Sequence, residues 1–495
     1  MYLFTAAQMR AADAAAAQAG IPLLLLMEEA GRAVAQTVRS RFADAERVLI
    51  LCGGGNNGGD GYACARHLLR TVPTDVLELT DTPNSDDAKT MRGALSAHGL
   101  TPEPLTQGSL EQALSRRPLV IDALFGSGLT RPLAGDLADL VATLNGSGLG
   151  VLSADVPSGL GSDSGEPLGP HVRATRTVQF AGAKVASLFH PARAAYGELE
   201  TADIGIPEGI LAANSSARLL TRETVRRHTP TREADTHKYA VGTVLVVAGS
   251  AQYLGAAEMA CRAALRGGAG LVTLIASGGF PSTWPELIHE RLGWDKNPLE
   301  SISNIGDNRA QVRVVGPGLG REAEPLLPEL IAQKGVPTVL DAGALAGGEG
   351  WFAAVRAHGR CVLTPHTGEA GKLLGRSTDD IRRDPLGAAR DLARKAGAVA
   401  VLKGATTVVA APDGRRSVHS GGHPGMATGG TGDVLAGLLG AWCAGCADVT
   451  GLFDRAGAAV WVHARAGALA AERYGNGLVS SDVIENIPQA WLELS

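Results

Sequence analysis

The chain has 495 residues, with 45 Lys and Arg against 50 Asp and Glu and a formal net charge of -5. The two signs are interspersed, which excludes the basic footprint of a nucleic-acid binder or of a protein held to an anionic membrane. The length exceeds what one hydrophobic core supports and suits two domains of about 200–270 residues each.

The chain should open on two helices, at about 5–18 and 26–42. Residues 1–10 carry no basic segment leading into an apolar core. The apolar run at 23–27 is stopped by Glu28 and Glu29, far short of the ~20 apolar residues a membrane span needs. A cytoplasmic protein is expected. Short β-rich runs then alternate with helices: strands at 47–52, 76–79, 119–123, 149–155 and 178–180, with 202–206 closing the half. That is the βαβ pattern of a parallel sheet. The segment 207–235 is charged and reads as a junction. A second α/β series follows, with strands at 243–248, 271–276, 312–315, 338–340, 361–364, 399–403 and 407–411, and helices such as 256–266 and 386–395. The boundaries drawn are 1–215 and 222–495. The halves carry unlike glycine motifs, so they read as a fusion and not a duplication. The six cysteines form no disulfide framework. Cys443 and Cys446 should lie within a helical run, as small buried residues.

In the first half, Gly53-Gly-Gly-Asn-Asn-Gly-Gly-Asp-Gly61 follows a strand and leads into a helix expected from Tyr62. Strand, glycine turn and helix can grip a phosphate. The run is neither G-x-G-x-x-G nor a P-loop. Asn56, Asn57 and Asp60 add polar side chains that a purely structural turn would not need. Asp122 and Asp155 end two later strands, and ligands of an open parallel sheet bind at that edge. Each Asp could separately cap a turn, but three such strand ends in register point to a site. The oxygen donors Asn57, Asp122 and Ser158 suit a hard cation and not zinc.

In the second half, a strand runs into Gly249-Ser250, and Gly255 and Ala256 open a helix. Gly316-Pro-Gly-Leu-Gly320 is another strand-end turn. His366 and Glu369 are three apart after a strand, although a lone histidine there is more often structural. Lys403-Gly-Ala-Thr-Thr407 joins two strands, and Lys403 could simply make a salt bridge. Last comes Gly425-Met-Ala-Thr-Gly-Gly-Thr-Gly-Asp433 ahead of an apolar helix. Converging N–H groups and a helix N-terminus there would hold an anion, with Asp433 placed as a base for a hydroxyl.

The first half resembles the epimerase domain of the NAD(P)H-hydrate repair enzymes over roughly residues 5–206. The likeness rests on Leu26-Met-Glu-Glu-Ala-Gly31, residues 56–60, Asp122-Ala-Leu-Phe-Gly126 and Asp155-Val-Pro-Ser-Gly159. It implies a Rossmann-like α/β/α domain and a potassium ion on Asn57, Asp122 and Ser158. It also implies hydrate contacts from Asn56, Asn57, Gly58, Gly59 and Asp60, from Gly126, Ser127, Gly128, Leu129, Thr130, Arg131 and Pro132, and from a catalytic Asp155. Lys184 is a further candidate for that pocket.

The second half resembles the ribokinase-like superfamily, and within it the ADP/ATP-dependent NAD(P)H-hydrate dehydratases, over about 225–490. This implies a ribokinase-like α/β domain with Asp433 as catalytic base. Ala256, Gly318, His366 and Asp433 would meet the hydrate. Lys403, Gly404, Ala405, Thr406, Thr407 and Gly432 would hold ADP or ATP, with Mg2+ organised through Glu369. Kinases of the superfamily more often have Asn where His366 stands, and Gly343 stands where the dehydratases usually show a second Asp. The expected protein is a bifunctional isomerase and lyase, acting on NADHX and NADPHX with ADP. A homo-oligomer is expected, with no nucleic-acid or membrane partner. The alternative is a vitamin-precursor kinase of the same superfamily with a fused ligand-binding domain.

Overall fold

Strands such as Val48–Cys52 and Thr243–Val247 are buried at every residue, so they are stable only with helices on both faces of a sheet. The computed structural model describes residues 1–276, 284–291, 310–333 and 335–495. It divides into two compact units, Met1–Arg218 and Leu219–Ser495.

The first unit contains β1 (Tyr2–Phe4), β2 (Val48–Cys52), β3 (Thr74–Glu78), β4 (Glu103–Pro104), β5 (Leu119–Ala123), β6 (Val151–Ala154), β7 (Arg176–Phe180), β8 (Ala183–Lys184), β9 (Glu198–Ala202) and β10 (Ala217–Leu219). Seven strands form a parallel sheet in the order β4-β3-β2-β5-β6-β7-β9. The order reverses between β2 and β5, which opens a crevice at their carboxyl ends. β1 pairs with β8 and β10 outside this sheet.

In the second unit, β11 (Thr243–Val247), β12 (Leu271–Ala276), β13 (Leu287–Arg291), β14 (Val312–Val315), β15 (Thr338–Leu340), β16 (Cys361–Leu363), β17 (Val399–Leu402), β18 (Thr407–Ala410) and β19 (Arg416–His419) follow the order β13-β12-β11-β14-β15-β16-β17-β18-β19. Pairing is parallel as far as β17, and β17, β18 and β19 form an antiparallel meander. Here the order reverses between β11 and β14.

Four sequence expectations change. The glycine-rich run is itself helical: the helix spans Asn56–Leu68 and does not wait for Tyr62. Its glycines permit close packing. A Cβ on Gly58 would stand 1.9 Å from the Gly53 carbonyl oxygen, and one on Gly61 2.7 Å from Cys52 Sγ. The closing strand is Glu198–Ala202, not 202–206, because Glu198, Glu200 and Ala202 suit a half-exposed edge while Ile204 and Ile206 are buried beyond it. β1, β4, β8, β10, β13 and β19 were not foreseen, although Pro412-Asp-Gly414 ahead of β19 is a turn signal between two β-rich runs. The helix Thr431–Cys443 ends at Cys443, so Cys446 lies outside it, and all six cysteines are free.

Candidate active sites

In the first unit β2, β5 and β6 end together. A crevice of about 440 Å³ there is lined by Asn56, Asn57, Asp60, Gly126, Ser127, Gly128, Leu129, Asp155 and Lys184, and by Arg10 and Asp13 of the helix Ala6–Gln18. Gly58 and Gly59 do not line it. They are buried, with the Cβ position of Gly59 2.5 Å from Met27 Sδ. Thr130, Arg131 and Pro132 are exposed and lie off the crevice wall.

Asp155 sits where few non-glycine residues do, at φ 64. Its Oδ1 is 2.6 Å from Lys184 Nζ and accepts the Phe180 N–H at 3.2 Å. Lys184 is 1 % exposed and also donates to the carbonyls of Phe180 and Gly182. Burial pushes Asp60 well above the usual carboxylate range, with the Asp155 charge adding to the rise. Burial also pushes Asp13 up to about 6, against the pull of Lys184 and with the push of Asp155.

Asp122 and Ser158 are fully buried. Asp122 Oδ1 accepts from Ser158 Oγ at 2.5 Å, and Oδ2 accepts from the Ser158 amide and Ser153 Oγ, each at 2.9 Å. Burial still raises the Asp122 carboxyl, with these hydrogen bonds opposing the rise. Ser158 Oγ also lies 3.2 Å from the Phe125 carbonyl. Asn57 leaves its buried Nδ2 without a partner, and its Oδ1 is 3.1 Å from the Cβ position of Gly126. The oxygens of Asn57, Asp122 and Ser158 are hard donors of the kind a hard cation takes, whereas the unmatched Asn57 Nδ2 is a hydrogen-bond donor and calls for an acceptor. Among the described residues no group of three or more His, Cys, Asp or Glu could hold a metal.

In the second unit the ends of β11, β14, β15, β16 and β17 carry Gly249, Gly316, Asp341, His366 and Lys403. Gly318 takes φ +63, and a Cβ on it would lie 3.0 Å from Ala256 Cβ, so these two candidates face each other where the strand order reverses. His366 caps the helix Thr367–Leu374: its Nδ1 accepts the N–H groups of Gly368 and Glu369, and Glu369 Oε2 accepts the His366 N–H. The structural role expected of a lone histidine is therefore present. Accepting through Nδ1 leaves the neutral ring's proton on Nε2, in a side chain 60 % exposed.

Asp433 occupies the first turn of the helix Thr431–Cys443, behind Gly430 at φ 95. The first bond of that helix runs from the Val434 N–H to the Gly430 carbonyl, so the amides ahead of Val434 open its N-terminus. Lys403 Nζ is 3.2 Å from the Cβ position of Gly432 and 2.6 Å from Asp341 Oδ1. Thr364 Oγ1 donates to the same Asp341 oxygen at 2.6 Å. Burial, then the Asp341 charge, pushes the Asp433 carboxyl up to about 6, with Lys403 opposing. Gly404, Ala405 and Thr406 form the turn from β17 into β18, which Thr407 begins, and Gly404 and Ala405 are exposed. A Cβ on Gly343 would stand 2.6 Å from the Leu319 carbonyl oxygen, so no side chain fits there without a shift.

Three residues of these sites were not singled out from sequence. Asp341 ends a strand as Asp122 and Asp155 do, and the strand-end rule would have found it. Asp13 lies in an alanine run with no local signal. His463 comes from the distant helix Val449–Tyr474. Its Nε2 lies 2.9 Å from the Thr431 carbonyl oxygen, and burial pushes it down to about 4.

Two family models match in tandem: the YjeF-related protein N-terminus over residues 24–186 and NAD(P)H-hydrate dehydratase over residues 244–489. A relative from Moorella thermoacetica named bifunctional NAD(P)H-hydrate repair enzyme is 37% identical, over 99% of this chain and 96% of its own. One of the same name from Escherichia coli is 33% identical, over 94% of this chain and 89% of its own. A solved ADP/ATP-dependent NAD(P)H-hydrate dehydratase from Bacillus subtilis, co-crystallised with ATP and Mg2+, is 28% identical over 56% of this chain and 99% of its own, with a TM-score of 0.49. A stand-alone kinase with an added binding domain is not favoured by relatives that share both halves. With both domain models matched and relatives aligned from end to end, the chain belongs to the family of bifunctional NAD(P)H-hydrate repair enzymes.

Proposed function

We propose that the first unit interconverts the R and S hydrates of NADH and NADPH, and that the second dehydrates the S hydrate with ADP, or with ATP, through a phosphorylated intermediate. The observation that carries the reading is Asp433: a carboxyl pushed up to about 6, in the first turn of an open helix N-terminus, with Lys403 beside Gly432.

The hydroxyl of a hydrated nicotinamide is a poor leaving group, and phosphorylation makes it a good one. Asp433 takes the hydroxyl proton as the phosphoryl group arrives. Gly429–Gly432 and the helix N-terminus hold the developing charge. Nitrogen push in the ring then expels phosphate and restores the reduced nicotinamide. Ala256, Gly318 and His366 meet the hydrate, with His366 offering its Nε2 proton. Lys403, Gly404, Ala405, Thr406, Thr407 and Gly432 bind the nucleotide. Mg2+ comes with its phosphates, where one or two carboxylates and the phosphates suffice to hold it. Glu369 would help to organise it, although its Oε2 already caps a helix.

In the first unit Asp155 transfers the hydroxyl proton during ring opening and reclosure while Asn56, Asn57, Asp60 and Gly126–Leu129 hold the ring. Gly58 and Gly59 shape the wall from behind. Thr130, Arg131 and Pro132 meet the outer part of the dinucleotide. Asn57, Asp122 and Ser158 would hold K+, whose charge would fix the turn that carries Gly126. A cytoplasmic homo-oligomer is the expected setting.

The test is to incubate mixed hydrate epimers with ADP or ATP and Mg2+ and follow the absorbance of the reduced nicotinamide. Full recovery supports both activities. Recovery of one epimer supports dehydration alone, and no recovery overturns the reading.

A further inference from the structure

Proton transfer at the first site needs an acid as well as a base, and the scheme above supplies only Asp155. The crevice holds an unused carboxyl. Asp13 projects from the helix Ala6–Gln18 onto the crevice wall, which it shares with Arg10, Asp60, Asp87, Asp155 and Lys184 as the charged groups. It makes no hydrogen bond or ion pair among the described residues, whereas Asp155 is held at 2.6 Å by Lys184. Asn57, 8 % exposed and on the same wall, also leaves its Nδ2 unpaired. An unpaired carboxyl on a cavity wall marks where a polar atom of a ligand belongs.

We propose that Asp13 is a second catalytic residue of the first site, the proton donor to the ring nitrogen of the hydrate, acting with Asp155 at the hydroxyl. This rests on the epimerase reading. The hydrate carbon bears both the hydroxyl and the ring nitrogen. Asp155 takes the hydroxyl proton, and the O–H electron pair becomes the second bond of an aldehyde. The carbon–nitrogen bond breaks with its pair going to nitrogen, and Asp13 delivers a proton there. Rotation of the aldehyde presents its other face. On closure nitrogen attacks the carbonyl carbon, its proton returns to Asp13, and Asp155 returns its proton to oxygen. Both carboxyls end as they began and nothing is consumed. Two carboxyls in unlike surroundings, one ion-paired and one bare and pushed up to about 6, are the arrangement for paired acid and base work.

The test uses the full chain and a single epimer without nucleotide, following the epimer ratio by chromatography. Asp13→Asn should slow interconversion by at least ~100-fold and leave ADP-dependent dehydration of the S epimer unchanged. Asp13→Glu should regain much of the rate. The wild-type rate should fall as pH rises through about 6, and the residual Asp13→Asn rate should lose that limb. Wild-type interconversion with Asp13→Asn close to it would overturn the role of Asp13 and leave the epimerase reading standing. Equal loss in the Asn and Glu variants would also overturn it. A wild-type chain that interconverts the epimers no faster than buffer would sink the epimerase reading and this proposal with it.

Discussion

In the first unit Lys184 holds Asp155 at 2.6 Å, and Asp13 stands on the same crevice wall with its carboxyl pushed up to about 6. In the second, Lys403 holds Asp341 at 2.6 Å, and Asp433 is pushed up to about 6 with both of those charges acting on it. The charges are alike and the backbone around them is not. Asp433 lies in a helix's first turn, behind glycines, where the amides ahead of Val434 are open. Asp13 lies within the helix Ala6–Gln18, where amides are spent on the helix itself. A carboxyl beside open amides can deprotonate a group that then takes a phosphoryl charge. A carboxyl without them can only pass protons.

The largest test of this contrast is Asp433→Asn. It should lower nucleotide-dependent recovery of reduced nicotinamide by at least ~100-fold while epimer interconversion continues, as a two-channel assay on one sample would read.

Next are the lysines paired with buried carboxylates. Lys184→Met strands Asp155, and Lys403→Met strands Asp341, whose side chain is 2 % exposed. Losing the buried Lys184 should destabilise its unit by about 3–5 kcal/mol, the cost of breaking one partner of a buried pair, and losing Lys403, whose side chain is 19 % exposed, should cost less. Denaturant melts should show one transition moved in each variant.

The glycines should divide by role. Gly58→Ala puts a methyl 1.9 Å from the Gly53 carbonyl oxygen and should cost about 1–3 kcal/mol by overpacking. Gly432→Ala meets only the flexible end of Lys403, Nζ at 3.2 Å and Cε at 3.9 Å, so its melt should stay at wild type while KM for the nucleotide rises. The smallest effect is expected at His463. Removing its bond to the Thr431 carbonyl with His463→Leu should cost about 0.5–1.5 kcal/mol, seen as a small shift of the melt.

The central strands of both sheets were open in the sequence, because parallel strands buried on both faces leave unbroken apolar runs, whereas the short and edge strands β1, β4, β8, β10, β13 and β19 leave none. The run Gly53–Gly61 misled in detail: its glycines serve helix-to-strand contact as much as ligand contact, and one sequence cannot separate the two. Asp433, Asp155 and Lys403 were legible because each ends a strand or opens a helix beside glycine. His366 was legible as a residue, while its Nδ1 is taken up by a helix cap. Asp13, Asp341 and His463 become site residues only when distant segments meet. Arrangements of charge made by tertiary contact leave no spacing to read.

The most direct measurement is the pH dependence of the two reactions on one preparation, between pH 5 and 8 where a carboxyl pushed up to about 6 changes charge. With Asp433 as the proposed base, kcat/KM for dehydration should rise as pH rises through about 6. With Asp13 as the proposed acid for ring opening, kcat/KM for interconversion should fall over the same range. Limbs of opposite slope are predicted. Two limbs rising together would contradict the division of these two carboxyls into an acid and a base.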